Sequence, residues 1–353
     1  MAARNDARNV MVLEAQAKAP LAIYRSLVRQ GHRVIAAAPQ RLCTGFFSRY
    51  VSERVIYPHC VSQAEACAEF LINYLSQGHV EMLLPVDQYM TALVARHQDE
   101  IRRHTKLILP PIDVFNIGND KILTLKAASR VGVPIPDTWY PEDQSLDEIA
   151  REVRYPCLIK PAVSVGAVGI TLVRSSDELK ARFPEVVGEF GSRCFIQDFV
   201  PQEGGCQHKV DILMGGGGKV LMAFSYDKLR YYPPSAGSST LNRIAHHPEM
   251  IEGAVQILRS IGWYGFCDFD FITDPRDGKA KVMEINPRFP DSIKAMYVAG
   301  LDPIKAMYRM AHGDEPEPCL SYRTGDYLRF LPGDVMWLLT SPDRFKQLGS
   351  WLN

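Results

Sequence analysis

The chain contains no Cys-x-x-Cys pair, no apolar run approaching the roughly 18 residues that a membrane helix needs, and no excess of either charge sign. Each absence narrows the possibilities. The 8 cysteines (Cys43, Cys60, Cys67, Cys157, Cys194, Cys206, Cys267 and Cys319) are scattered, several inside apolar segments. They read as reduced core thiols of a cytoplasmic protein rather than a disulfide framework or a zinc site. Lys plus Arg and Asp plus Glu number 40 each, so no general field attracts nucleic acid or an anionic membrane, and neither partner is expected. Met1 to Asn9 is polar and lacks the apolar centre of an export signal. No glycine lies between Leu13 and Gly31, where a nicotinamide or flavin fingerprint would place its glycine-rich turn. No Gly-Lys-Ser/Thr ending follows the later glycine loop, which excludes a Walker P-loop.

What is present is enough for a large core: 353 residues, 46% of them hydrophobic, or two to three domains at roughly 100–200 residues each. Val10 to Leu13, Leu21 to Gln30 and Val34 to Ala38 read as strand, helix, strand. A helix at Ala64 to Gln77, a strand at Val80 to Pro85, a helix at Gln88 to Arg103 and a strand at Leu107 to Leu109 continue the alternation of a parallel α/β domain over 1–112. Asp120 caps a helix that runs to Arg130, and Gly132, Pro134 and Pro136 stop it. Over 113–192 the main feature is a buried strand, Cys157 to Pro161, carrying Lys160. It opens into a small-residue loop, Ala162 to Gly169, containing Ser164, Gly166 and Gly169. Such a loop either covers phosphate with its backbone N–H groups or is a plain hairpin connection. Over 193–320, strands at Phe195 to Val200, Lys209 to Met214 and Val220 to Ser225 with helix Pro248 to Ile261 predict an antiparallel α+β unit. A helix at Pro303 to His312 follows, then a poorly defined tail over 321–353 that stops without a closing element, so a C-terminal extension is expected.

The densest chemistry lies at Gly265 to Ile272 and Lys281 to Arg288, two alternating strands around the turn Asp274-Pro275-Arg276-Asp277-Gly278. Centred near Asp277, this hairpin sets Asp270 opposite Glu284 and Asp268 opposite Asn286. Opposed carboxylates repel unless a cation separates them. The face is therefore either a solvated surface or a site for a hard cation such as Mg²⁺, which favours oxygen ligands together with phosphate. Upstream, Lys228 to Thr240 mixes cations, aromatics and small hydroxyls and reads as a substrate loop in which Arg230 binds a carboxylate, or as an ordered surface loop. His246 and His247 suit proton transfer or a helix cap.

In order along the chain, Asp120-Lys121, Val133 to Pro136, Ile159-Lys160-Pro161 with its loop, Gln197 to Val200, Asp270 and Glu284-Ile285-Asn286-Pro287-Arg288 resemble the ATP-grasp superfamily. The pattern is most similar to its carbamoyl-phosphate-synthase-like carboxylate–amine ligases, a group that includes D-aspartate ligases. The resemblance implies a pre-ATP-grasp parallel α/β domain followed by a two-lobed ATP-grasp domain with antiparallel sheets. It implies ATP and Mg²⁺ (or Mn²⁺) as cofactors, with Asp270, Glu284 and Asn286 on the metal and Lys121 and Lys160 on the phosphates. Ser164, Gly166 and Gly169 would cover the phosphates, Gln197, Asp198, Phe199 and Val200 would meet adenine, and Glu203 would take the ribose. Arg288, with Lys160 and Arg230, would serve the reaction. The expected partners are a small carboxylic acid and an amine, an amino acid among the plausible ones, and a homodimer is compatible with the pattern. Two other readings stay open: a nucleotide-binding regulatory protein without turnover, and an enzyme that phosphorylates bicarbonate. The latter ranks lower, because neither a biotin-carrier segment nor a duplicated half is found in the sequence.

Overall fold

A computed structural model describes residues 8–191, 193–202, 206–233, 237–342 and 344–345. Strands β1 (Asn9–Val12), β2 (Arg33–Ala38), β3 (Val51–Ile56) and β4 (Met82–Leu84) form a parallel sheet in the order β3-β2-β1-β4, with α1 (Ala19–Arg29) and α2 (Ala64–Leu75) in the connections. Both faces of a parallel sheet are covered, so its central strands must be apolar throughout. Val34, Ile35, Ala36, Ala37 and Ala38 are all buried accordingly.

The next elements are α3 (Gln88–Arg96), α4 (Gln98–Ile101), α5 (Ile112–Asn119) and α6 (Lys121–Arg130). The single helix expected over 88–103 is broken at His97, whose ψ of 16° departs from the helical range. The strand expected at 107–109 does not form. Only Lys106 bridges to Met82, and Pro110 and Pro111 lack the N–H groups that a ladder needs. Asp120 caps α6 as expected, its carboxylate accepting the Leu123 N–H at 3.1 Å.

A second sheet comprises β5 (Thr138–Trp139), β6 (Cys157–Pro161), β7 (Thr171–Val173) and β8 (Cys194–Asp198), in the antiparallel order β5-β8-β6-β7, with α7 (Leu146–Glu152) and α8 (Ser176–Phe190) packed together beside it. The loop from 162 to 170 joins β6 to β7, and two of its glycines are required where they stand. Gly166 has φ 63° and Gly169 φ 79°, and a β-carbon on Gly169 would meet Pro161 at 2.7 Å and Phe190 at 2.8 Å.

The third sheet carries the site. It contains β9 (Cys206–Met214), β10 (Val220–Tyr232), β11 (Ser238–Ala245), β12 (Gly265–Thr273), β13 (Ala280–Asn286) and β14 (Tyr327–Arg329), in the order β13-β12-β9-β10-β11-β14. Helix α9 (Pro248–Ile261) covers one face; α10 (Lys294–Ala299), α11 (Pro303–Ala311) and α12 (Leu331–Thr340) follow in the chain. Proline at the first turn and Gly262 at φ 70° fix the ends of α9. Its Ile257 and Leu258 are fully buried, each contributing roughly 1.5–3 kcal/mol. The substrate loop expected over 228–240 is mostly strand. Residues to Tyr232 belong to β10 and those from Ser238 to β11, paired through Lys228–Asn242 and Tyr232–Ser238. Its aromatic residues favour a pleated surface. The tail after Pro318 is likewise more ordered than expected: β14 pairs with β11 through Leu241–Arg329, and α12 places Trp337 and Asp334 in the interior.

Candidate active site

Strands β12 and β13 pair as the hairpin predicts, with Asp268 opposite Asn286 and Asp270 opposite Glu284; the register shifts only beyond Asp270. Strand β9 continues the row, with Lys209 opposite Asp270 and Asp211 opposite Asp268. Four acidic side chains and an amide therefore share one face, and most are buried.

Cations reach this face from three directions. Lys209 Nζ lies 2.7 and 2.9 Å from the two oxygens of Asp268 and 2.7 Å from Asp270 Oδ2. Lys228 Nζ approaches Asp270 Oδ1 at 3.7 Å. From α6, which packs on β13, Lys121 Nζ reaches Glu284 Oε2 at 3.1 Å. Burial would raise the Asp270 pKa, but Lys209 and Lys228 outweigh it and hold that carboxyl well below the usual range. Burial also opposes the charge on Lys209, yet Asp268 and Asp270 keep its ammonium above the usual lysine range. Asp211 differs: both of its oxygens lack a hydrogen-bond partner. Burial, with Asp268 beside it, drives its pKa well above the usual carboxyl range.

Lys121 also ties the cleft to the glycine loop. Its Nζ donates to the Ser164 carbonyl at 2.7 Å and to Ser164 Oγ at 3.3 Å, and its backbone N–H donates to the Ala162 carbonyl at 2.8 Å. One lysine thus touches the loop on one side and the acidic hairpin on the other. Lys160, buried on β6, donates to Gln197 Oε1 at 2.7 Å. Burial lowers its pKa to about 8, with Glu284 opposing the fall.

Asn286 donates Nδ2 to Asp270 at 2.9 Å and accepts from Arg288 at 3.2 Å. Arg288 NH1 stands 3.8 Å from Asp268 Oδ2, so the arginine borders the acidic row as expected. Gln197 and Asp198 lie within sheet register between β5 and β6, leaving Phe199 and Val200 as the residues beyond it. The Asp198 carboxylate is held by Arg276, from the turn of the acidic hairpin, at 2.5 Å. Glu203 lies outside the described residues.

Arg230 does not join this group of cations around the acidic row. It is buried, with NH1 on Asp334 at 3.1 and 3.3 Å and its guanidinium over the Trp337 ring at 4.8 Å. The cation expected to hold a substrate carboxylate instead fastens α12 to the sheet. Sequence reasoning missed Lys209 and Asp211. The alternation Lys209-Val210-Asp211-Ile212 marks a strand with one polar face, but its position beside β12 follows from tertiary pairing.

The chain is similar to several known proteins. Biotin carboxylase of Pseudomonas aeruginosa is 28% identical over 225 residues, covering 58% of this chain and 48% of that protein. D-aspartate ligase of Enterococcus faecium is 22% identical over 233 residues, covering 61% of this chain and 55% of that protein. The chain spans about half the length of these curated relatives. Among solved structures, the biotin carboxylase domain of Hydrogenobacter thermophilus 2-oxoglutarate carboxylase, in complex with MgADP, ADP and bicarbonate, superposes with a TM-score of 0.73 at 19% identity, covering 90% of this chain and 73% of that one. That likeness establishes an ATP-grasp fold. Residues 120–317, more than half of the chain and the whole of the acidic hairpin with its lysines, match the family described as carbamoyl-phosphate synthase L chain, ATP binding domain, and the chain belongs to that family.

Proposed function

We propose that this protein is an ATP- and Mg²⁺-dependent ligase that activates a carboxylate as an acyl phosphate and joins it to an amine, releasing ADP and phosphate. The observation that carries the reading is the convergence of Asp270, Glu284 and Asn286 with Lys121, which also holds the glycine loop through Ser164.

The donor set fits a magnesium ion: two carboxylates and an amide on one face are hard oxygen ligands, and Mg²⁺ binds through few carboxylates together with substrate phosphate. Asp270, Glu284 and Asn286 would hold it, and the ion would supply neutralisation of phosphate charge. The lysines present fixed positive charge to the same region. Lys121, now on Glu284 and Ser164, suits a phosphate as a third partner, and Lys160 sits behind the loop on Gln197. A carboxylate is a poor acylating agent because oxide would have to leave. Phosphorylation gives it a good leaving group, and the protein's work is alignment and charge stabilisation. Arg288, whose fork lies beside Asn286 and Asp268, would hold the acid bidentately.

A second reading has a specific observation behind it. The P. aeruginosa relative is a biotin carboxylase, and the H. thermophilus structure contains bicarbonate. Bicarbonate would then be the acid phosphorylated on the same face, and the two readings differ in the acid and its acceptor. Thermal denaturation with and without Mg²⁺ and ATP tests the site common to both: millimolar nucleotide should raise the melting temperature, and no shift would remove the assignment.

A further inference from the structure

The reverse face of the same sheet carries a second convergence of donors. Alternation along β9 and β10 turns His208 and Asp227, paired across the two strands, away from Lys209. His247, immediately before α9, joins them. His208 Nδ1 lies 2.8 Å and His247 Nε2 2.7 Å from one oxygen, Asp227 Oδ1, and the three donor atoms lie within 4.8 Å of one another. The outer partners fix each ligand's orientation. Arg243 holds the other oxygen of Asp227 through Nε at 3.0 Å and NH2 at 2.6 Å, and Thr273 Oγ1 stands 2.9 Å from the far nitrogen of His208.

We infer that His208, Asp227 and His247 form a binding site for a divalent transition-metal ion, with Zn²⁺ the best match, that clamps the start of α9 to β9 and β10. Two imidazoles and one carboxylate are a zinc donor set, and such sets keep a position open for water. Exposure agrees: the His208 and Asp227 side chains are 7% and 2% exposed and that of His247 is 26% exposed, so the cluster has a closed floor and one wet side. Without an ion, a proton joins Nδ1 of His208 to Asp227; with an ion bound, Nε2–H would donate to Thr273 and free the Nδ1 lone pair for the metal, while Arg243 restrains the carboxylate as outer contacts do at metal sites. The hard, oxygen-only face around Asp270 and Glu284 suits magnesium, so the two sites differ in chemistry.

Equilibrium dialysis of the full chain against Zn²⁺, with millimolar Mg²⁺ present to compete for the oxygen ligands, tests the inference. One Zn²⁺ per chain is expected, with affinity weakened about tenfold or more in His247→Ala and unchanged in Glu284→Gln. Zinc-edge X-ray absorption of the wild-type protein gives a reading independent of how the variants fold, and two imidazoles in the first shell are expected. Absence of stoichiometric zinc, equal affinity in folded His247→Ala, loss of zinc in Glu284→Gln, or an oxygen-only first shell would each overturn it.

Discussion

Asp270 and Glu284 stand opposite each other on neighbouring strands, yet each carboxylate is held by a different lysine: Lys209 at 2.7 Å for Asp270 and Lys121 at 3.1 Å for Glu284. The first lysine belongs to the same sheet and the second to α6, which packs on β13 and also holds the glycine loop through Ser164. Glu284 is therefore the acid that Lys121 joins to the glycine loop. Glu284→Gln should lower ADP release by about 10²-fold or more and abolish stabilisation by Mg²⁺ and ATP, while the melting temperature without ligand stays within a few degrees of wild type. Retained turnover in that variant would remove Glu284 from the metal.

Lys209 predicts a pH-dependent stability difference. Lys209→Met would leave Asp268 and Asp270 buried side by side without their shared ammonium, at a cost of about 3–5 kcal/mol near neutral pH. The lysine holds the Asp270 pKa down. Its contribution is present above the ordinary carboxyl range and is lost as acid protonates the pair. Urea unfolding should therefore show a gap between variant and wild type that is steady from pH 7 down to about pH 4 and narrows below it. A gap independent of pH would indicate lost packing alone.

Lys160 should behave in the opposite sense. Its pKa falls from the ordinary 10.5 to about 8 because burial disfavours its charge, so at neutral pH the folded, ligand-free protein carries a penalty of about 3 kcal/mol. The penalty is fully present below pH 8 and is relieved as pH rises through 10.5. Lys160→Met should be more stable than wild type at pH 7, lose that advantage by about pH 10.5, and bind ATP more weakly. Calorimetry at the two pH values checks the first part and nucleotide titration the second.

Arg230 should act on stability rather than on nucleotide binding. Its guanidinium and Asp334 are both buried and bonded at 3.1 Å, so Arg230→Met removes a charged partner from Asp334, which keeps Arg329 at 3.4 Å and Thr240 at 3.3 Å, and should cost about 1–3 kcal/mol. The affinity for ATP with Mg²⁺ should change less than threefold in the folded variant. A selective loss of acid or amine use, with stability intact, would return Arg230 to the substrate site.

Much of this site was legible because it is local. The hairpin of Asp270 and Glu284 follows from strand alternation and one turn, the cap of α6 from Asp120, and the glycine loop from positions where a left-handed backbone is needed. The unread parts depend on distant pairing. Lys209 meets Asp270 only because β9 lies beside β12, and Arg230 is buried because α12, some hundred residues on, supplies Asp334. An arginine among aromatics has the same local appearance whether a substrate or a helix takes its charge. His208 and His247, separated by β10 and β11, gave no spacing signal for the same reason.

The acid decides between the two functional readings, so ADP release is the most direct measurement. Wild-type protein with ATP and Mg²⁺ should be assayed against small carboxylic acids and amino acids, singly and in pairs, and against bicarbonate alone. The ligase account predicts ADP and phosphate in equal amounts, dependent on one acid and one amine together and absent in Glu284→Gln. Release with bicarbonate alone that matches or exceeds every acid–amine pair would contradict it.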